Sequence, residues 1–290
     1  MHLFEKTQIV AKSYAKINLS LKVVGKNQEG YHLLEMVNLP LELHDVIEIN
    51  RDDHASSTHT ICDDVALNNH RHNLCTKAVE AMREKYKFKE NFLISIHKEI
   101  PFAAGLGGGS SNAAAVIKSL ATLLKINATK EDLVSIGLDI GADVPFFLDN
   151  KPAKVTGIGE IVEPIQVKKQ YFCLVVKPEE GLSTKAVYEI CDNFGHADID
   201  TESVIRALKE GDDDLLAKSI GNDLYSPAAK LLPEVKTIVD SLKGYGLTIS
   251  GMSGSGSACF ALSTDMKLLK AAYKHFEKDG YIVKLAKVII

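Results

Sequence analysis

"PFAAGLGGGSSNAAA", residues 101–115, places four glycines within positions 105–109, follows them with two serines and an asparagine, and runs into alanines. Glycine loses more conformational freedom on ordering than any other residue, so this concentration needs a backbone reason. Upstream, Phe92, Ile94 and Ile96 alternate with Leu93, Ser95 and His97, which predicts a strand. Downstream, Ala113, Val116, Ile117, Leu120, Leu123 and Leu124 recur at helical spacing. A strand, a glycine turn and a buried helix in that order bring successive backbone N–H groups together at a helix N-terminus, which is a cradle for phosphate. A plain strand-to-helix turn would need one or two glycines rather than Gly105, Gly107, Gly108 and Gly109. Glycine permits positive φ and lets phosphate oxygens approach a backbone without Cβ atoms, while Ser110, Ser111 and Asn112 add side-chain donors.

The stretch fits neither of the commonest phosphate motifs. It has no lysine inside it, and Ser110 stands where a third glycine of G-x-G-x-x-G would be. A lysine must come from elsewhere, and Lys16 and Lys98 are the candidates, with a solvated surface position as the plainer alternative for both. In "YAKINLSLKVVG", Ala15, Ile17, Leu19, Leu21 and Val23 alternate with Lys16, Asn18, Ser20 and Lys22, predicting a half-buried strand with Lys16 and Asn18 on its polar face. Two further strand-like runs follow the turn at Glu29 and Gly30, with Pro40 favouring an edge or bulge between them. Residues 51–72 read as polar and irregular, and a helix is predicted from Asn73 onward.

Thr129, with Asp132 three positions on, is an N-cap candidate for a helix that ends near "GADVPFF". There Asp143 lies between Gly141–Ala142 and the restricted Val144–Pro145, a rigid place for a carboxylate that reads equally as a turn or capping aspartate. Strand-like pieces flank "GIGE" at 157–160. The polar segment near 166–170 marks a boundary between residues 1–165 and residues 166–290. The second part reads as a strand "FCLVVKP", several helices through residue 243, and a strand "LTIS". The glycine turn "GMSGSGS", a strand "ACFAL", a helix from about Met266 to Lys278 and a last strand complete it. Strands grouped with helices, without strict alternation, predict α+β organisation in both parts.

The 290 residues are 46% hydrophobic, enough for true cores, and the formal net charge of −4 comes without any basic stripe. Nucleic acid is therefore not an expected partner, and a small-molecule role is. Five scattered cysteines with no C-x-x-C pair suit a reducing compartment. The N-terminus lacks a signal-peptide core and no run approaches a membrane span, so a cytoplasmic location without membrane attachment is expected. His54, His59, Cys62, His70 and His72 share one polar region at spacings that fit no zinc pattern, so no metal site is expected there. Asp212 to Asp214 read as a helix cap and a solvated first turn.

"AKINLSL", "GYH", "PFAAGLGGGSSNAAA", "GADVPFF", "GIGE", "NDL" and "MSGSGSACF" stand in the order and spacing of the GHMP kinases, and the resemblance spans nearly the whole chain. It implies a two-domain α+β fold with the active-site cleft between the domains, each part above being one domain. It further implies ATP and Mg2+ as cofactors, with Asp143 as catalytic base and Lys16 as the lysine that orients it and stabilises developing charge. Pro101, Ala104, Gly105, Leu106, Gly107, Gly108, Gly109, Ser110, Ser111 and Asn112 would bind the nucleotide, with Lys98 and Asn73 near the adenine end.

The early "GYH" points within the superfamily to an acceptor carrying a cytidine diphosphate group, phosphorylated at the 2-hydroxyl of 4-diphosphocytidyl-2-C-methyl-D-erythritol in non-mevalonate isoprenoid synthesis. Tyr31 and His32 offer an aromatic face and ring nitrogens for a cytosine edge. In "LSTKAVY", Thr184 and Tyr188 match the acceptor-side pair, although Lys185 replaces an expected proline. Asn18 matches a substrate-side position, and Gly254, Ser255 and Gly256 supply a second glycine turn near the phosphates. A different acceptor (a sugar, homoserine or mevalonate) and a catalytically silent nucleotide-binding relative are the alternatives; the chain would be a monomer or homodimer.

Overall fold

The computed structural model describes residues 7–63 and 73–290. The chain forms two compact units, each assembled from separated stretches. Unit 1 comprises the described residues up to 14, 44–100 and 107–149; unit 2 comprises 15–43, 101–106 and 150–290. Two long strands, β1 (Gln8–Lys26) and β2 (His32–Arg51), contribute residues to both.

In unit 1 the C-terminal part of β2 pairs antiparallel with β4 (Phe92–His97), which pairs in parallel with β3 (His59–Cys62). Phe92, Ile94 and Ile96 of β4 are buried, as their alternation predicts. The four-residue β3 lies within the stretch read as irregular. It buries only Thr60 and Cys62, too short an alternation to stand out among polar neighbours. Helix α1 (Leu74–Tyr86) starts where predicted, with the Asn73 side chain capping it. Helix α2 (Gly108–Leu123) follows the glycines and is buried along most of its length. It packs on α1, on α3 (Lys130–Ile140) and on α4 (Val144–Asp149). The Thr129 cap is present, its side chain accepting from Asp132 N–H at 3.1 Å. The six residues of α4 are too few to show a helical period in sequence.

In unit 2, β5 (Ala153–Gly157) pairs with β6 (Ile161–Pro164) and with β2, while β1 lies beside β2 and pairs in parallel with the two-residue β8 (Gly221–Asn222). Strand β2 continues through Pro40 rather than breaking into two. The missing N–H is tolerated there, and the Pro40 carbonyl accepts from Ile289 N–H at 2.9 Å. A second sheet takes the order β11 (Ile282–Lys287), β7 (Phe172–Lys177), β10 (Cys259–Ser263), β9 (Ile249–Met252), all antiparallel. Helices α9 (Glu234–Gly244) and α10 (Met266–Lys278) pack on it. The helices α5 (Thr184–Cys191), α6 (Thr201–Glu210), α7 (Asp213–Ser219) and α8 (Tyr225–Leu231) fill the connection from β7 to α9. Asp212 caps α7 as expected. Asp213 in its first turn is more than solvated, because its carboxylate takes the Tyr171 hydroxyl at 2.6 Å and the Lys169 ammonium at 2.8 Å.

The strand 15–23 departs from the expected half-buried pattern. Lys16, Asn18 and Ser20 are as buried as the apolar residues between them. A polar face can be sealed only if its groups find partners inside, and here they do.

Candidate active site

In unit 1, Gly107 adopts the left-handed conformation at φ +72° and turns the chain into α2, whose first residues have no side-chain cap. The leading N–H groups of this sixteen-residue helix therefore point outward with the helix dipole behind them. Ser111, 1% exposed, has a buried hydroxyl with no partner among the described residues, while Asn112 is engaged as acceptor for the Ser13 hydroxyl. A Cβ added at Gly108 would stand 3.3 Å from Lys98 Nζ and 3.1 Å from Ile100 Cγ2, which places the Lys98 ammonium at the start of α2.

Lys98 is itself held by the fully buried Asp45, whose carboxylate also accepts from the N–H groups of Glu99 at 2.9 Å and Ile100 at 2.8 Å. Asp45 thus shapes the turn that leaves β4. It escaped the sequence reading, because nothing local distinguishes it from Glu35, Glu42 and Glu48 in the same strand-like run. Asn73 accepts from Cys75 N–H at 2.9 Å, and the start of α1 lies against the start of α2, with Leu74 Cδ1 3.5 Å from a Cβ built at Gly109. Burial pushes the Cys75 thiol up to about 12, against the opposing pull of Lys98. Asp143 is half-buried in a tight turn closed by Val144 N–H to Gly141 carbonyl at 2.9 Å, and Pro145 follows in α4. That turn adjoins the helix start, because Ser110 Oγ lies 3.7 Å from a Cβ built at Gly141. Unit 1 therefore gathers the glycines 107–109, Ser110, Ser111, Lys98, Asn73 and the Asp143 turn.

In unit 2, Lys16 is 2% exposed and donates to Asn18 Oδ1. The Asn18 amide donates in turn to Asn38 Oδ1 at 2.6 Å, and Asn38 Nδ2 has no partner among the described residues. Asn38 was missed because one asparagine in an apolar strand run gives no local sign of its neighbour. Residues 101–106 lie against the second glycine turn. Ser253 Oγ donates to Gly105 carbonyl at 2.9 Å, Ala258 N–H to Ala104 carbonyl at 3.2 Å, and Lys16 N–H to Leu106 carbonyl at 3.0 Å. Gly105 has φ +70°, and a Cβ there would run into the Ser253 carbonyl; one at Gly254 would meet the Gly105 carbonyl at 2.9 Å. Two glycines facing each other explain this close approach of backbones. Asn222, from the "NDL" segment, secures the turn by donating to the carbonyls of Met252 at 3.0 Å and Gly254 at 2.8 Å.

The residues expected on the acceptor side also lie within unit 2. Thr184 Oγ1 and Ser255 Oγ are 2.8 Å apart, and the His32 ring lies 4.9 Å from that of Tyr188, tilted by 35°. Tyr31 is exposed beside them, its backbone fixed by two bonds to Asn27. Lys185, in place of proline, sits in the first turn of α5 behind the Ser183 cap and pairs with Glu189 at 3.8 Å. Of the His and Cys residues weighed as a metal cluster, His70 and His72 lie outside the described residues, and His59 is within 3.2 Å of Ser57 Oγ. Among the described residues, no group of three or more His, Cys, Asp or Glu is placed to hold a metal ion, and no helix is long and apolar enough to cross a membrane.

The class that this fold and these residues define is met in the comparisons. Residues 73–151 match the N-terminal domain of the GHMP kinases and residues 204–281 their C-terminal domain, so the chain belongs to the GHMP kinase family. Among individual relatives, it is 37% identical over 281 residues to the 4-diphosphocytidyl-2-C-methyl-D-erythritol kinase of Clostridium perfringens, covering 94% of this chain and 96% of the relative. With the enzyme of the same name from Thermoanaerobacter pseudethanolicus it shares 35% over 286 residues, covering 97% and 96%. A crystal structure of 4-(cytidine 5'-diphospho)-2C-methyl-D-erythritol kinase matches with a TM-score of 0.79 at 30% identity, over 97% of this chain and 99% of that one. Homoserine kinase from Cytophaga hutchinsonii shares the fold, with a TM-score of 0.77 at 16% identity over 100% and 97%.

Proposed function

We propose that the chain is a kinase that transfers the γ-phosphoryl group of ATP to the 2-hydroxyl of 4-diphosphocytidyl-2-C-methyl-D-erythritol. The observation that carries the donor side is the uncapped start of α2 behind Gly107, with Lys98 above it and the unpartnered Ser111 hydroxyl within it. Such a terminus favours a polyphosphate through aligned N–H groups and helix dipole. The acceptor is supported by full-length relatives bearing that name and by the grouping of His32, Tyr188, Thr184 and Ser255.

Phosphoryl transfer needs positioning, neutralisation of charge and a group to take the nucleophile's proton. The acceptor O–H gives its proton to the Asp143 carboxylate, the new O–P bond forms in line, and the bond from Pγ to the bridging oxygen breaks to release ADP. The Lys16 ammonium, anchored on Asn18, offsets the charge gathering on the transferred oxygens. Magnesium would enter on the triphosphate and neutralise it; the Ser111 hydroxyl is an oxygen ligand of the kind it accepts. We also take Pro101, Ala104, Gly105 and Leu106 as the nucleotide-side loop and Gly254, Ser255 and Gly256 as its companion, given their mutual hydrogen bonds and close approach.

The test is a turnover assay of the purified chain with ATP and the cytidylyl substrate, run beside mevalonate, homoserine and galactose, with 31P NMR identifying the product. A new phosphomonoester on the cytidylyl substrate alone is expected. Turnover confined to a sugar, homoserine or mevalonate would refute the acceptor assignment.

A further inference from the structure

His32 opens β2 and faces Asp192, the residue that closes α5, with Nε2 3.0 Å from Asp192 Oδ1. Lys26, at the end of β1, pairs with the other oxygen of the same carboxylate. The imidazole is 15% exposed, wedged against Tyr188, while Asp192 is 48% exposed on its outer side. The hydrogen bonds from Lys26 and then His32 hold Asp192 far down, at about 2, so the carboxylate is ionised throughout the working range. An ionised carboxylate only accepts hydrogen bonds, so the proton between the two side chains resides on His32 Nε2. In the neutral ring the other nitrogen, Nδ1, is then an acceptor and is the only one left for a ligand.

We propose that Asp192 is a specificity-determining positioning residue: through His32 it presents Nδ1 as an acceptor to the 4-amino group of a cytosine and so selects cytidine over uridine diphosphate. The inference rests on the reading above that this site takes a cytidine nucleotide. Cytosine carries an amino donor at position 4 where uracil carries a carbonyl acceptor. Opposite Nδ1, the amino group completes a hydrogen bond, whereas the carbonyl sets two lone pairs against each other and leaves both desolvated. Asp192 touches no base in this scheme. It sets the ring's tautomer, and the Tyr188 contact sets its tilt.

The experiment uses the full chain and its Asp192→Ala and Asp192→Asn variants. Calorimetry measures CDP and UDP binding, 15N spectra of labelled histidine report the His32 tautomer, and thermal midpoint and ATP affinity report an intact fold. The wild type is expected to prefer CDP by about tenfold or more, the ratio that one well-placed hydrogen bond of about 1.4 kcal/mol supplies, with a single Nε2–H tautomer. Asp192→Ala is expected to lose most of that preference, show mixed tautomers, and raise KM for the cytidylyl substrate with kcat little changed. Asp192→Asn, whose Oδ1 can still accept from Nε2–H, is expected to keep a larger share, and it serves if the alanine variant does not fold. A wild type that prefers CDP, with variants whose ratio and tautomer are unchanged, overturns the role of Asp192 alone. A wild type that binds neither nucleotide overturns the cytidine reading and this proposal together.

Discussion

Burying the ammonium of Lys16 strips away its hydration, and Asn18 replaces part of it with a short-range dipole that Asn38 keeps oriented. The aspartate assigned as base is less enclosed, resting in a turn held by Gly141 and stiffened by Pro145. Asp143→Asn keeps the size and removes the proton acceptor. Turnover is expected to fall about a hundredfold or more while ATP affinity, measured by calorimetry, stays near the wild-type value. Near-normal turnover would take Asp143 out of the mechanism. Gly105 tests the backbone argument instead. In Gly105→Ala the new methyl meets the Ser253 carbonyl at a positive φ, so urea unfolding should show a loss of about 1–3 kcal/mol together with weaker ATP binding. These residues differ in legibility. Gly105 stands out because four glycines crowd into five positions, whereas Lys16 and Asp143 read by themselves equally well as a solvated lysine and a turn aspartate and are singled out by the resemblance to the GHMP kinases. Asn38, Asp45 and Asp192 are ordinary residues whose importance comes from partners far along the chain.

Elements with a long period or a distinct cap could be read directly. The helix after the glycines, the Thr129 and Asp212 caps and the span Met266–Lys278 all follow from local side-chain chemistry acting within a turn or two. Strands β3 and β8 and helix α4 were not legible, being two to six residues long and stabilised by their neighbours rather than by their own pattern. Asp45 shows how a buried side chain can organise an element's end, since it satisfies two N–H groups and one ammonium at the exit of β4. Asp45→Ala would orphan all three. A destabilisation of about 3 kcal/mol is expected in urea melts, with ATP binding weakened as Lys98 loses its anchor. Unchanged melting would mean that water replaces the carboxylate at little cost.

At the scale of the whole molecule, all five cysteines are buried and none is joined in a disulfide. Burial raises the thiols of Cys75, Cys173 and Cys259, which therefore keep their protons in the folded chain at pH values where the unfolded chain ionises. The stabilisation is complete below the unfolded thiol value of about 8.5 and is lost as pH rises from there toward the folded values. Each such thiol steepens the decline by up to about 1.4 kcal/mol per pH unit. Urea midpoints should thus hold near neutrality and fall above about pH 9, and a thiol reagent at pH 8 should react slowly with native protein and with all five cysteines after unfolding. Flat midpoints up to pH 11 would contradict the assignment.

The chain by itself determined the glycine turn, the buried helix behind it, the α+β character of both parts and the kinds of side chain available for phosphoryl transfer. These are encoded in spacing over a few residues, where backbone geometry alone decides which groups are neighbours. Tertiary structure alone decided that the polar face of β1 is sealed, that Asn222 and Ser253 fasten the second glycine turn, and that Asp192 reaches His32 across 160 positions. A buried polar group must find a partner wherever the folded backbone brings one, and that place is set by packing of whole elements rather than by any pattern along the chain.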